Sequence, residues 1–180
     1  TNPIVKEYDE KVNQLKVFPN KNTILLTLSP YTDAEMVKIY NVIKKNQTNY
    51  NWLIRAHPSM LRKLEEITKD LNTKGITNFE LEQSSQLPLY SILRNIDLHI
   101  TVQSSCVIEA ADFGVKSIIT SEYGKTLYAS SIKSGVALFN QSEEEIEVNL
   151  NLTKIHTNQS LKNISNMKGV ITFIQGAIKN

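Results

Sequence analysis

Between Leu98 and Thr120 the chain runs Leu-His-Ile-Thr-Val, Gln-Ser-Ser, Cys-Val-Ile-Glu-Ala-Ala-Asp-Phe, Gly, then Val-Lys-Ser-Ile-Ile-Thr. Ile100, Thr101 and Val102 carry the β-branched signature of a strand. Ser104 and Ser105 are the residue type that starts a helix, because a hydroxyl oxygen accepts from the orphan amides of the first turn. Gly114 sits where a helix needs a left-handed terminator, and Ser117–Ile119 reads as a second strand. A helix between two strands is too long for a hairpin and predicts a parallel crossover. The carboxyl end of a strand in such a sheet is where open α/β folds bind ligands. A helix starting there offers free amides and a positive end to a phosphate.

With Ser105 as the cap, a structural capping box would place Glu or Gln three residues later, and that position is Ile108. The acid is Glu109 instead, one further on and on the same helix face as Ser105. A carboxylate one turn above a phosphate cradle is placed to accept from sugar hydroxyls. The same pattern also describes a helix that merely begins Ser-Ser and carries a solvated Glu, and the residues alone leave both readings open.

The rest of the chain repeats the alternation. Apolar runs at Thr23–Leu28, Asn51–Arg55, Phe79–Leu81, Leu98–Val102, Ser117–Ile119 and Gly135–Phe139 read as strands, continuous enough to be covered on both faces. Between them, helical spacing appears in Met36, Ile39, Tyr40 and Ile43, then in Leu61, Leu64, Ile67 and Leu71, and then in Leu89, Ile92, Leu93 and Ile96. The segment Glu82–Pro88 reads as a loop and Lys125–Lys133 as a helix. The expected architecture is a doubly wound parallel α/β sheet of about six strands. Residues 1–20 read as a connector and residues 21–180 as the domain. That domain ends in a helix from Ser160 with Leu161, Ile164, Met167, Val170, Ile171 and Ile174 at helical spacing.

In a parallel sheet all strand ends point one way, and the polar residues of interest cluster there: Ser29, Arg55, His57, Gln86, Ser104 and Ser105. Arg55 suits a phosphate because its planar fork donates two bonds at once. His57, made extended by Pro58, can donate to a phosphate oxygen or protonate a leaving group; the alternative is a surface histidine before a helix. His99, inside a strand, reads as a packed or edge residue, and His156 has no role. Cys106 reads as a small buried hydrophobe.

Other chemistries fit poorly. A formal charge of +2 over 180 residues, with no Lys/Arg block, does not suggest nucleic acid. The single cysteine excludes an internal disulfide and fits a reducing interior. No apolar run approaches the ~20 residues of a membrane span, and no leader pattern reads at the start. The expectation is a cytoplasmic protein, at most held to the inner face of the membrane. The histidines are far apart, so no metal is expected. A serine hydrolase would need Gly-x-Ser-x-Gly around Ser105, and a dinucleotide site Gly-x-Gly-x-x-Gly after the first strand; both are absent.

The run from Leu93 to Ile119, with Asp97 before the strand, Ser104-Ser105, Glu109-Ala110 and Gly114, resembles the donor-binding half of GT-B glycosyltransferases. Arg55-Ala-His57-Pro58, with Pro88-Leu-Tyr90 downstream, is similar to bacterial surface-polysaccharide enzymes with His-Pro and Ser-Ser motifs. These include sialyl- and Kdo-transferases and CDP-glycerol glycerophosphotransferases. The resemblance implies a Rossmann-like fold, one half of a GT-B enzyme, that binds a nucleotide-activated sugar without a metal. It implies that Ser104 and Ser105 bind the donor phosphate, Glu109 the ribose, and the Gln83–Leu87 segment (Gln86 included) the base. His57 would contact the phosphate and help the leaving group depart. It further implies an amino-terminal acceptor-binding domain outside this chain, without which the fragment would be inactive. Two other readings remain: a UDP-sugar 2-epimerase-like domain, and a non-catalytic α/β binding module.

Overall fold

The computed structural model describes residues 15–152 apart from 16, 19, 31 and 32. The connector expected over residues 1–20 falls mostly outside them, and His156 and the helix expected from Ser160 fall wholly outside. Five parallel strands form one sheet: β1 (Thr23–Thr27), β2 (Asn51–Arg55), β3 (Leu98–Thr101), β4 (Ser117–Ile119) and β5 (Ala137–Phe139). Their spatial order is β2-β1-β3-β4-β5. The helices are α1 (Asp33–Asn46), α2 (Leu64–Thr73), α3 (Glu82–Gln86), α4 (Leu89–Leu93), α5 (Cys106–Asp112), α6 (Glu122–Leu127), α7 (Ala129–Lys133) and α8 (143–152).

Every residue of β1 is buried, because helices cover both faces of the sheet. Ile24 and Leu26 point to one face, where Met36, Ile39 and Ile43 of α1 and Ile146 and Leu150 of α8 meet them. Leu25 points to the other, against Ile92 and Leu93 of α4 and Ala110 of α5. The period of two in the strands and of about 3.6 in the helices thus close on the same two cores. Gly114, with φ 70°, ends α5 in the left-handed conformation its type predicts.

Three expectations are corrected. The strand expected at Phe79–Leu81 shrinks to a single bridge between Leu53 and Glu80 on the outer edge of β2. Glu80 donates to Trp52 O and accepts from Ile54 N, each at 2.8 Å. The next residues coil at once into α3, so the run is too short to build a ladder, and the sheet has five strands rather than six. Glu82–Pro88 is accordingly not a loop but α3 and its exit, with Ser84 and Ser85 buried. The helix expected at Lys125–Lys133 begins earlier, where the Ser121 hydroxyl accepts from Gly124 N at 2.9 Å, and breaks at Tyr128 into α6 and α7.

With the Glu80 bridge counted at its edge, the chain winds outward from β1 in both directions. The point where the winding reverses lies between β1 and β3, and a crevice opens there at the carboxyl ends of the strands.

Candidate functional site at the carboxyl rim of the sheet

A cavity of about 230 Å³ occupies that crevice, and Arg55, His57, Leu89, Ser104, Ser105 and Cys106 form much of its wall. Four of the polar residues singled out from the sequence therefore meet in one place. No Asp or Glu belongs to the lining. A larger, open groove of about 570 Å³ runs along the flank of α2 and shares no residue with this cavity.

Arg55 ends β2 and is half-buried. Its Nη1 donates to Ser84 O at 2.6 Å and to Leu87 O at 2.7 Å. Burial pulls its pKa below the ordinary guanidinium value, partly opposed by the Cys106 thiol. Among the described residues it forms no ion pair. The guanidinium thus does two things: it anchors α3 to the end of β2 and brings a positive charge to the cavity wall. Ser85 reinforces the same junction, its hydroxyl accepting from Ala56 N at 3.0 Å.

His57 follows two residues later, exposed and extended at φ −61° and ψ 147°, and it caps a 3-10 turn over Pro58–Lys63. Its Nδ1 accepts from Ser59 N at 3.2 Å and lies 2.8 Å from Ser59 Oγ. The helical spacing that begins at Leu61 is realised as a 3-10 turn over its first residues and as an α-helix only from Leu64.

The serine turn is assembled differently from expectation. Ser104, not Ser105, caps α5, its hydroxyl accepting from Cys106 N at 3.3 Å. Ser104 N in turn donates to Thr101 Oγ1 at 3.0 Å. Ser105 already has helical dihedrals, φ −62° and ψ −18°, and makes no side-chain cap. Its exposed hydroxyl stands at the cavity without a partner among the described residues. Burial pushes the Cys106 thiol up, and the Ser104 hydroxyl and Arg55 partly offset that, which makes it a poor thiolate.

The remaining candidates lie around the cavity rather than in its lining. Glu109 is one turn along α5, and its Oε2 is buried with no hydrogen-bond partner among the described residues. Its charge is felt by both the Cys106 thiol and the Tyr128 phenol, whose pKa values it raises. One carboxylate oxygen is therefore withdrawn from solvent, one turn along the helix from the lining residues Ser105 and Cys106. Ser29 follows Leu28, a lining residue. Gln86 is exposed, its Nε2 3.5 Å from Glu82 Oε1. The Ser84 and Leu87 carbonyls of its segment are occupied by Arg55.

Cys106 and Leu89 were not singled out as lining residues, since an apolar wall has no sequence signature apart from core. Among the described residues no group of three His, Cys, Asp or Glu side chains is spaced to hold a metal, and no helix is long and apolar enough to cross a membrane.

The crevice and the sheet order define a Rossmann-like domain, and solved structures share the fold. The C-terminal CMP-Kdo binding domain of WaaA from Acinetobacter baumannii superposes with a TM-score of 0.60 at 12% identity, covering 88% of this chain and 92% of that one. The UDP-GlcNAc 2-epimerase of Methanocaldococcus jannaschii, in complex with UDP-GlcNAc and UDP, gives 0.58 at 16%, covering 86% of this chain and 42% of that one. The ADP-heptose LPS heptosyltransferase II of E. coli gives 0.56 at 11%, covering 85% and 52%. This chain thus spans nearly all of an isolated nucleotide-sugar domain and about half of the longer neighbours. No protein-family model matches the sequence, and no curated protein matches it.

Proposed function

We propose that this chain is the donor-binding domain of a bacterial glycosyltransferase of surface-polysaccharide biosynthesis, of the capsule, lipopolysaccharide or teichoic acid kind. Its ligand is a nucleotide-activated sugar. The observation that carries the reading is the cavity at the strand ends. Arg55, His57, Ser104 and Ser105 bring hydrogen-bond donors to it, and no carboxylate lines it. Such a wall favours an anion, and charge-assisted bonds to a phosphate are the strong ones. Glu109, one turn away with an unpartnered oxygen, takes the ribose hydroxyls, which would satisfy a buried acceptor that is costly to leave unmade.

In the reaction the bond between the sugar's anomeric carbon and the donor phosphate breaks, and charge builds on the departing phosphate oxygen. Arg55 and His57 stabilise that charge where it develops, and a protonated His57 can pass its proton to the leaving oxygen. No metal ion is needed in this scheme. The acceptor is brought by a second, amino-terminal domain, with the reaction in the cytoplasm or at the inner face of the membrane.

The test is calorimetric titration of the folded chain with CMP, CDP, UDP and GDP, at least one of which should bind. Silence from all four would overturn the proposal. Glu109→Ala should weaken the nucleotide about tenfold or more, on the scale of a hydrogen bond to a charged group, and leave inorganic pyrophosphate nearly unaffected. Equal losses would remove the ribose role. The 2-epimerase neighbour superposes almost as well as the WaaA domain, so a second reading is an epimerase half. Interconversion of UDP-N-acetylglucosamine by the intact protein, lost on His57→Ala, would select it.

A further inference from the structure

We propose that Ser59 is a positioning residue that decides which nitrogen of His57 offers a proton to the bound phosphate. The purpose rests on the nucleotide-binding reading above; the geometry does not.

His57 occupies a cap usually filled by Ser, Asn or Asp. Pro58 has no N–H, so the first amide of the 3-10 turn is that of Ser59, and it donates to His57 Nδ1 at 3.2 Å. A neutral imidazole has one acceptor nitrogen and one donor. An Nδ1 that accepts therefore fixes the proton on Nε2, leaving the ring with a donor on its other side. Ser59 Oγ, 2.8 Å from the same nitrogen, adds a second donor to that lone pair. The hydroxyl differs from the amide in one respect: it can rotate. When the ring gains a proton at Nδ1, the amide has lost its acceptor, whereas Ser59 Oγ can turn to accept Nδ1–H. One contact holds the ring in place both as a neutral donor and as an imidazolium. An outer partner that fixes a histidine's tautomer is a familiar device in metal and catalytic sites. Here it is supplied from two residues along the same turn.

Ser59 is exposed, so its replacement leaves the core untouched. The experiment is nitrogen-15 spectroscopy of the histidine-labelled chain at a pH where His57 is neutral. The wild-type ring should show the single Nε2–H pattern. Ser59→Ala keeps the amide donor at 3.2 Å but loses the shorter hydroxyl contact, so it should show a measurable minor population of the Nδ1–H tautomer beside the Nε2–H form; Ser59→Thr, which keeps the hydroxyl, should restore the single pattern. Affinity for the nucleotide identified by titration should fall about fivefold in Ser59→Ala and recover in Ser59→Thr, the scale of one hydrogen bond. A wild-type ring protonated on Nδ1, or a Ser59→Ala spectrum identical to wild type, would overturn the proposal. If the spectra respond as expected while no nucleotide binds any form, the donor-binding reading fails and the control of the tautomer by Ser59 stands.

Discussion

His99 lies fully buried in the middle of the sheet, with Nε2 2.8 Å from Thr27 Oγ1 and Nδ1 2.9 Å from Ser117 Oγ. Burial pushes its pKa from 6.5 down to about 3. The folded value is below the unfolded one, so unfolding takes up a proton. The histidine therefore costs nothing above about pH 6.5, and stability falls as the pH drops from there toward 3. Replacing it by Gln should shift the acid-unfolding midpoint, followed by circular dichroism, to lower pH, even though stability at pH 7 falls by ~1–3 kcal/mol as the hydroxyls lose their partner. Glu109 gives the opposite kind of prediction. Glu109→Gln, equal in shape but uncharged, should leave the urea midpoint nearly unchanged while nucleotide affinity falls, as expected of a group that serves a ligand rather than the fold. At this scale the sequence was readable where residue type alone determines the outcome. His99 packs, as its place inside an apolar strand implied. It could not say which of two adjacent serines caps α5, because both have the chemistry and only the dihedral angles distinguish them.

At the scale of elements, the junction between β3, β4 and α6 depends on closeness. A Cβ on Gly124 would lie 2.6 Å from Val102 O and 2.6 Å from Ile119 Cγ2. Only a bare backbone lets α6 approach the strand ends so nearly, while Ser121 bridges Val102 O and Gly124 N at 2.9 Å each. Gly124→Ala should cost ~1–3 kcal/mol in urea denaturation, the range of overpacked sites. Arg55 governs a second junction. Arg55→Gln should raise amide hydrogen exchange across Gln83–Leu87, since the two carbonyls lose their charged donor, while exchange in the core of β1 stays slow. Neither junction was visible beforehand. Gly124 lies just outside the helix expected from Lys125, where a glycine carries no sign of a close contact, and an arginine at a strand end reads as a ligand-binding group rather than an anchor. Phe79–Leu81 was misjudged because the apolar residues suit a strand, but three residues with Glu82 starting a helix leave room for only one bridge.

At the scale of the whole molecule, the parallel sheet was legible because continuous apolar runs, separated by helical periodicity, admit few topologies, whereas the strand order and the place of its reversal come from the structure alone. The gathering of Arg55, His57, Ser104 and Ser105 in one crevice also followed, since strand ends in a parallel sheet share one rim. What was not legible was the third dimension of that rim: Gln86 on an exposed face and Glu109 one turn behind the lining. The cavity wall itself has one further consequence. It is rich in groups that give hydrogen bonds, it includes no carboxylate, and the one lone pair of its imidazole is spent on Ser59. Such a surface can receive the negative charge that builds on a departing phosphate. It has nothing with which to strip a proton from an incoming alcohol. On the donor-binding reading, the base that activates the acceptor must therefore come from outside this wall.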